Sequence, residues 1–282
     1  MFVLLQYLLP QHLLCRLVYV LTRSEWRWLK NLLIGAFMRG YAPEMADALE
    51  PSPFRYRSFN AFFTRALRAD ARPADPDPRR IVSPCDGTLS IADSVRGNEM
   101  LQAKSHRYSL EALLAAESDW AARLAGGLYA TVYLAPYNYH RVHMPLAGRL
   151  SAAWHVPGRL FSVNSATVAR VPRLFARNER VICAFEGESG PFVVVLVGAL
   201  FVGSMSTVWH GEVAPAGAPS GARRLQARTA AGPWQPRGAE LGRFNMGSTV
   251  ILLLPPGIAR WDATLQPGLA LRMGQSVGTL LP

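Results

Sequence analysis

Residues 244–257, FNMGSTVILLLPPG, constrain the fold more than any other stretch, because they join a polar turn to side chains that belong in a protein interior. Residues 250–254 are all aliphatic and are followed by Pro255-Pro256-Gly257, which predicts a buried strand with a sharp end. Gly247 and Ser248 stand directly before this strand. Glycine leaves its own carbonyl open to attack, and the hydroxyl of the next residue is one bond rotation away. A Gly-Ser pair is most often only a turn, so its meaning depends on the rest of the chain.

The balance of charge favours an anionic partner. The chain of 282 residues carries a formal net charge of +11, but its basic residues are scattered and form no long run. The sequence has no zinc-knuckle or RNA-binding signature, so we expect a negatively charged membrane surface rather than nucleic acid. The three cysteines, Cys15, Cys85 and Cys183, are an odd number without close spacing. They favour a reducing compartment and argue against a disulfide framework.

The first 40 residues are apolar but repeatedly interrupted. A membrane-spanning helix needs about 20 mostly apolar residues, and a signal peptide needs a basic start and a small-residue cleavage site. The sequence fits neither pattern. We expect amphipathic helices that lie at a membrane surface, with Trp26 and Trp28 at the interface; a helical hairpin packed on its own domain is the alternative. The interrupting residues are Gln6, Pro10, Gln11, His12 and Arg16.

A proline-rich connector at residues 72–78 predicts a boundary behind these helices. We therefore expect an N-terminal helical region for membrane association at residues 1–72 and a β-rich domain at residues 73–282. Within the second, residues 81–90 indicate strand, turn and strand, and residues 190–209 indicate a long apolar hairpin.

These patterns predict an α+β fold: N-terminal helices followed by a mainly antiparallel β body. Short strands and turns in the C-terminal stretch, residues 265–282, give the body the character of a biotinyl- or lipoyl-type β sandwich. No acceptor lysine stands at the hairpin tip, so the sequence argues against lipoylation.

Residues 132–148, VYLAPYNYHRVHMPLAG, hold the second informative pattern. His140 and His143 stand three residues apart in a polar segment bracketed by prolines, beside aromatic residues and an arginine. A metal site is one interpretation, but no acidic or cysteine ligand lies nearby at a familiar spacing. General acid–base catalysis is the other.

Asp86, His143 and Ser248 occur in the order of a possible hydrolase triad, in which a carboxylate orients an imidazole and the imidazole takes the serine proton. The G-x-S-x-G elbow of α/β-hydrolases is absent from the sequence. The carbonyl nearest to Ser248 belongs to Gly247 of the same chain, so a triad in this position can cleave its own backbone. A serine esterase or lipase that uses the same triad on an external substrate is the alternative.

Eight stretches together resemble the phosphatidylserine decarboxylases of the bacterial, membrane-associated type. The resemblance covers the chain from about Ser58 onward. It rests on SFNAFFTRALR, SPCDGTLS, LQAKSHRYSLEALL, APYNYHRVHMPLAG, LFSVN, LFARNERV, VGALFVGS and ELGRFNMGSTV. Two positions depart from the family pattern: Met246 replaces the leucine of the Leu-Gly-Ser-Thr cleavage motif, and Ser165 stands where many members have histidine. Methionine is a flexible apolar residue, so we expect it to fill the same pocket.

The resemblance implies a proenzyme that matures by cleaving itself between Gly247 and Ser248. Asp86 would orient His143, and His143 would deprotonate Ser248, whose oxygen attacks the Gly247 carbonyl. The ester would eliminate to dehydroalanine, and hydrolysis would leave a pyruvoyl group and ammonia. The products would be a β chain of residues 1–247 and an α chain of residues 248–282, which stay together; the cleavage falls within the catalytic domain at residues 73–282.

The same resemblance implies the reaction and its setting. The pyruvoyl ketone at Ser248 would form a Schiff base with the amine of phosphatidylserine and accept the electrons left when carbon dioxide departs. The product would be phosphatidylethanolamine, formed without pyridoxal phosphate or a metal. His140 is the candidate proton donor to carbon. A peripheral location on the cytoplasmic face of the bacterial inner membrane and a homodimer are further expectations. A basic membrane-binding scaffold is the non-enzyme alternative.

Overall fold

The computed structural model describes residues 2–103, 106–115, 118–201, 204–213, 223–225, 232–246 and 248–282. Its α-helices are α1 (Phe2–Leu8), α2 (Gln11–Arg23), α3 (Arg27–Tyr41), α4 (Phe59–Phe63), α5 (Leu110–Leu114), α6 (Ser118–Leu124), α7 (Ser165–Val168) and α8 (Leu174–Arg177). Its strands are β1 (Arg80–Val82), β2 (Gly87–Ser94), β3 (Glu99–Ala103), β4 (His106–Ser109), β5 (Leu128–Leu134), β6 (Arg141–His143), β7 (Gly148–Val156), β8 (Arg180–Gly187), β9 (Gly190–Val197), β10 (Met205–Thr207), β11 (Gly211–Val213), β12 (Arg223–Leu225), β13 (Trp234–Gln235), β14 (Glu240–Phe244), β15 (Ser248–Leu254), β16 (Ala259–Trp261), β17 (Ala270–Leu271) and β18 (Ser276–Leu280).

The largest sheet has the strand order β12-β7-β8-β9-β15-β5-β2-β17, with β13 also paired to β7. A second sheet, β11-β10-β14-β6, contains His143, and a third has the order β1-β18-β16. The neighbouring strands of these sheets run antiparallel. The α+β class and the mainly antiparallel body are therefore confirmed. The biotinyl- or lipoyl-type character and the domain boundary at residue 72 stay predictions.

Strand β15 is the buried strand that the sequence predicts at residues 250–254, and it begins two residues earlier, at Ser248. All seven of its residues are buried, because β9 and β5 flank it on either side. On one edge Ser248 lies opposite Leu134, the last residue of β5. The loop that follows β5 therefore lies at the end of the sheet where β15 begins.

The predicted hairpin at residues 190–209 is wrong. Strand β9 covers the first part of this stretch, but its two edges are taken by β8 and β15. A strand has only two hydrogen-bonding edges, so β9 has none left for the second part. That second part, β10, pairs instead with β11 and β14 in the other sheet.

The N-terminal helices pack on the body through their polar residues. The side-chain amide oxygens of Gln6 and Gln11 accept hydrogen bonds from the backbone N–H groups of Ser162 and Leu160, at 2.8 and 2.9 Å. Helix α2 buries Gln11, Cys15 and Thr22 and leaves several of its apolar residues exposed. Leu13, Leu17 and Val20 are 63%, 56% and 66% exposed. In the described part of the chain, no helix combines the length and the apolar character needed to cross a bilayer.

The short helix α4 connects the N-terminal helices to the body. The Ser58 hydroxyl accepts a hydrogen bond from the backbone N–H of Ala61 at 3.1 Å, so the predicted N-cap is confirmed. The helix ends at Phe63, five residues short of the predicted stretch 58–68, and its phenylalanines are buried against α3. The ring of His140, one of the two candidate histidines, packs against Phe63 of this aromatic cluster.

Candidate active site

The Ser248 hydroxyl lies in the protein interior. Its side chain is fully buried, and its Oγ has no hydrogen-bond partner among the described residues. A buried polar group without a partner costs free energy. The Thr131 and Thr249 hydroxyls share this state, so what distinguishes Ser248 is its position directly after the predicted cleavage junction. Gly247, the predicted partner in cleavage, lies outside the described residues.

His140 lies at the same end of the sheet, because the loop that carries it follows β5, the neighbour of β15. Its ring is fully buried, 4.1 Å from the Phe63 ring between centroids. Nδ1 donates to the Asn138 carbonyl at 2.8 Å, and Nε2 has no partner among the described residues. Burial lowers the pKa of His140 to about 3, and the charge of Arg65 adds to this effect. His140 is therefore a neutral imidazole whose Nε2 lone pair is free to accept a proton.

His143 ends β6 and makes a hydrogen bond with each of its ring nitrogens. Nδ1 donates to the Gly238 carbonyl at 2.8 Å, so in the neutral ring Nε2 accepts from the Tyr139 hydroxyl at 3.1 Å. Burial lowers the pKa of His143, whereas the negative charge of Asp86 acts in the opposite direction. Burial also raises the pKa of Tyr139 to about 12, so the phenol keeps its proton at neutral pH.

Asp86 is brought close to His143 but bonds to other groups. The backbone N–H of His143 donates to the Pro84 carbonyl at 2.7 Å, which holds the turn containing Asp86 against β6. The Asp86 carboxylate accepts from Arg72 Nε at 3.0 Å and Nη2 at 2.7 Å, and from the Met273 backbone N–H at 2.8 Å. Within the described chain there is no hydrogen bond from Asp86 to His143 or from His143 to Ser248. The structure thus gathers the predicted side chains around one end of β15 without linking them as a hydrogen-bonded triad.

Arg72 is a site residue that the sequence did not reveal. It donates to Asp47 at 2.6 Å as well as to Asp86, and its side chain is only 7% exposed. Sequence reasoning placed this arginine at the start of a linker, because three prolines follow it. The Arg-Pro connector gave no signal that its first residue is buried between two carboxylates.

Asn245, directly before the predicted cleavage motif, is a second such residue. Its Nδ2 donates to the Ser204 hydroxyl at 2.6 Å, and its backbone N–H donates to the Ser204 carbonyl at 3.1 Å. Ser204 and Arg23 of α2 both hydrogen bond the Glu212 carboxylate. This network fixes the turn that leads into β15 and connects it to an N-terminal helix.

Two cavities open beside this turn. An apolar cleft of about 400 Å³ lies among α2, α3 and α4 and is lined by Met246 and Phe201. A polar cavity of about 910 Å³ is lined by Asn245 and by several arginine and glutamate residues. The charged cavity is lined by Asn245 and the apolar cleft by Met246, three and two residues before Ser248, an arrangement that suits an amphipathic ligand.

The described residues contain no group of three or more His, Cys, Asp or Glu side chains that could hold a metal ion. The pairing of Asp86 with an arginine and of both imidazole Nδ1 atoms with carbonyls explains how these candidate ligands are used instead.

Comparison with known proteins identifies relatives over the whole chain. The family model described as phosphatidylserine decarboxylase matches residues 59–279, and a model described as PSD matches residues 1–42. A phosphatidylserine decarboxylase proenzyme of Azotobacter vinelandii is 50% identical, over 99% of this chain and 97% of the relative. Proenzymes of the same name from Methylococcus capsulatus and Ectopseudomonas mendocina are both 48% identical over 99% of this chain, covering 96% and 97% of their own lengths. With a family match over residues 59–279 and such identity along nearly its full length, the chain belongs to the phosphatidylserine decarboxylase family.

Proposed function

We propose that the chain is a proenzyme that cleaves itself between Gly247 and Ser248 and then decarboxylates phosphatidylserine to phosphatidylethanolamine. The observation that carries this proposal is the buried Ser248 hydroxyl, which has no hydrogen-bond partner among the described residues. It stands at the first residue of the central strand in a chain whose relatives are proenzymes. A nucleophile that is fully buried is placed for its own backbone rather than for an external ester, which disfavours the esterase alternative.

Self-cleavage needs a base that takes the Ser248 proton, and the positive charge that then forms on this base must be stabilised. We propose His143 as the base, with Asp86 acting through its negative charge, which favours the imidazolium. His143 Nε2 must first exchange its hydrogen bond from Tyr139 for one from Ser248. A small ring rotation or a shift of the Tyr139 hydroxyl is therefore part of the proposed step.

Ser248 also fits the group that the family requires. The position is buried, free of competing hydrogen bonds in the described chain and next to a cleft for apolar chains. Once formed there, a pyruvoyl group supplies a carbonyl that reacts with the substrate amine and an electron sink for loss of carbon dioxide. The α and β chains would stay together, because the strand that begins the α chain is paired on both sides with strands of the β chain.

His140 remains the candidate for moving the proton to carbon. Its Nδ1–H is fixed on the Asn138 carbonyl, so the free Nε2 is the only ring position that can take or give a proton. With a pKa of about 3 it carries no proton at Nε2 at neutral pH. We therefore propose that Nε2 first accepts a proton during the reaction and then returns it, rather than starting as an acid.

We further propose that the protein is peripheral, on the cytoplasmic face of the inner membrane, and forms homodimers. The apolar outer face of α2 and the net charge of +11 support contact with an anionic lipid surface. The apolar cleft beside Met246 opens among the same N-terminal helices, so acyl chains could enter it without leaving the bilayer surface.

Intact mass spectrometry tests the proposal. The wild-type protein should yield two fragments that end at Gly247 and begin at residue 248, with a blocked N-terminus on the shorter one, and should release carbon dioxide from phosphatidylserine vesicles. Ser248→Ala should remain one inactive chain, and His143→Ala should be blocked in maturation. A single intact wild-type chain that decarboxylates the lipid would refute the proposal, and an intact chain that hydrolyses esters would support the alternative.

A further inference from the structure

Arg65 is a buried cation with few hydrogen-bond acceptors and no carboxylate partner among the described residues. It lies two residues after α4, and only 3% of its surface is exposed. Its Nε and Nη1 have no hydrogen-bond partner among the described residues. Nη2 reaches only the backbone carbonyls of Glu44 and Tyr137, both at 3.4 Å. A buried charge without a counter-charge is strongly unfavourable, so this arrangement needs an explanation beyond folding.

Three arginines that line the same polar cavity are paired with carboxylates, which makes Arg65 different from them. Around the polar cavity, Arg141 and Arg243 both bind Glu240 at 2.7 Å, and Arg23 binds Glu212. Arg65 has no carboxylate within 4.0 Å in the described part of the chain. Arg180 is also buried and also lacks a carboxylate within the described chain, but each of its guanidinium nitrogens donates to a backbone carbonyl. In Arg65 two of the three guanidinium nitrogens have no acceptor among the described residues, which indicates that a ligand supplies the acceptor.

The position of Arg65 connects it to the candidate active site. Its side chain lines both the polar cavity of about 910 Å³ and a smaller cavity of about 300 Å³ that Asp86 and Tyr139 also line. Its charge contributes to the low pKa of His140. An anion bound to Arg65 would thus lie beside the residues that the proposed reaction uses.

The proposed substrate offers two anionic groups, a carboxylate and a phosphodiester. The carboxylate loses its charge as carbon dioxide departs, so a cation bound to it would stabilise the ground state more than the transition state and slow the reaction. The phosphodiester keeps its charge throughout, and a cation bound to it stabilises both states equally. The planar fork of a guanidinium also matches phosphate oxygens in a bidentate manner.

We propose that Arg65 binds the phosphodiester of the lipid headgroup through its free Nε and Nη1 groups and so positions the serine moiety at residue 248. This inference rests on the proposed function, since it takes the substrate from there. Arg65 is then a binding residue that acts mainly on KM.

The test compares Arg65→Gln and Arg65→Lys with Arg79→Gln, which removes the same charge from a side chain that is 71% exposed. Self-cleavage is followed by intact mass, and steady-state kinetics use the water-soluble dihexanoylphosphatidylserine. We expect complete processing in all variants. For Arg65→Gln, KM should rise by about 10- to 100-fold, the loss of a charge-assisted hydrogen-bonded contact, with kcat within about threefold of wild type. Arg65→Lys should fall in between, and Arg79→Gln should match wild type.

Two competing ligands separate phosphate from carboxylate binding. Glycerophosphoethanolamine carries the phosphodiester without a carboxylate, and O-ethyl-L-serine carries the carboxylate without a phosphate. Arg65→Gln should weaken inhibition by the first by the same factor as KM and leave inhibition by the second unchanged. The reverse pattern, or an unchanged KM, would overturn the proposal.

Stability and direct binding complete the design. Because Arg65→Gln removes an unpaired buried charge, its Tm should equal or exceed that of wild type; a lower Tm would show that the guanidinium serves the fold and would count against the proposal. If that variant does not fold, calorimetric binding of glycerophosphoethanolamine to wild type and Arg65→Lys decides, and equal affinities would overturn the proposal. Failure of wild type to process or to release carbon dioxide would refute the proposed function instead, and the same calorimetry would still test Arg65.

Discussion

The buried neutral state of His140 should make the stability of the fold depend on pH. A histidine in an unfolded chain has a pKa of about 6.5, whereas burial lowers that of His140 to about 3. Between these values the unfolded chain binds more protons than the folded one, so stability rises with pH. The favourable contribution is fully present above pH 6.5 and is lost as the pH falls through 6.5 towards 3.

The two pKa values give the magnitude. At pH 7 the unfolded histidine is mostly neutral, and the penalty is negligible. At pH 5 its protonation stabilises the unfolded chain by about 2 kcal/mol. We expect His140→Gln to abolish this part of the pH dependence while also lowering stability by a constant amount at both pH values, because the contact with Phe63 is lost.

Urea denaturation followed by tryptophan fluorescence measures the effect. The Ser248→Ala background keeps the protein a single chain, so that unfolding is not complicated by separation of fragments. The parent should lose about 2 kcal/mol more than His140→Gln between pH 7 and pH 5, and His210→Gln, which alters an exposed histidine, should behave as the parent. His143 contributes its own pH dependence equally to all three. An identical loss in parent and His140→Gln would refute the neutral buried imidazole.

Three other outcomes follow, two from contacts of the site and one from the outer face of α2. Asp86→Asn and Asp47→Asn each remove one carboxylate from Arg72, so both should lower the free energy of unfolding, by about 2 kcal/mol in urea titrations. Only Asp86→Asn should slow self-cleavage in intact-mass time courses, because the negative charge of Asp86 favours the imidazolium of the proposed base. Equal cleavage rates in the two variants would exclude Asp86 from the step. Leu17→Gln on the outer face of α2 should weaken binding to anionic vesicles roughly tenfold in a sedimentation assay. The control Leu281→Gln, which alters an exposed leucine of the body, should bind as the parent does. Equal binding by the two variants would argue against α2 as the membrane contact.

Sequence reasoning succeeded where the physical cause is local. The aliphatic run before Pro255 had to be a buried strand, and the serine before the first phenylalanine of α4 had to cap it. It failed at residues 190–209, because two adjacent apolar strands do not reveal that other strands already occupy both edges of the first. Which strands pair is decided by the whole sheet when the partners are far apart in the sequence. The sequence of one segment therefore does not predict its partner.

The candidate site shows the same division. The candidate histidines and the serine are identifiable from residue type and order, since few buried roles suit them. The hydrogen bonds of the site cannot be predicted in this way. Asp86 bonds to Arg72 and, among the described residues, not to His143, and Arg72 lies in a stretch whose prolines are typical of a linker. The stretch with the composition of a linker is therefore part of the site. Arg65 could not be predicted either, because what distinguishes it is that two of its nitrogens have no partner among the described residues, and no sequence pattern shows this.

The polar interruptions of the N-terminal stretch bear on how the site is held together. They argue against a membrane-spanning helix, and the structure gives them a positive role, since Gln6 and Gln11 bind backbone groups of the body. At the end of α2, the helix that begins with Gln11, Arg23 binds Glu212. The Ser204 hydroxyl bonds both Glu212 and Asn245, which lies in the turn before Ser248. Any displacement of α2 would therefore pull on the turn that enters the central strand. The helices are in this sense part of the site rather than an appendage to it, and a lipid surface that displaced α2 would act directly on the segment where cleavage is proposed.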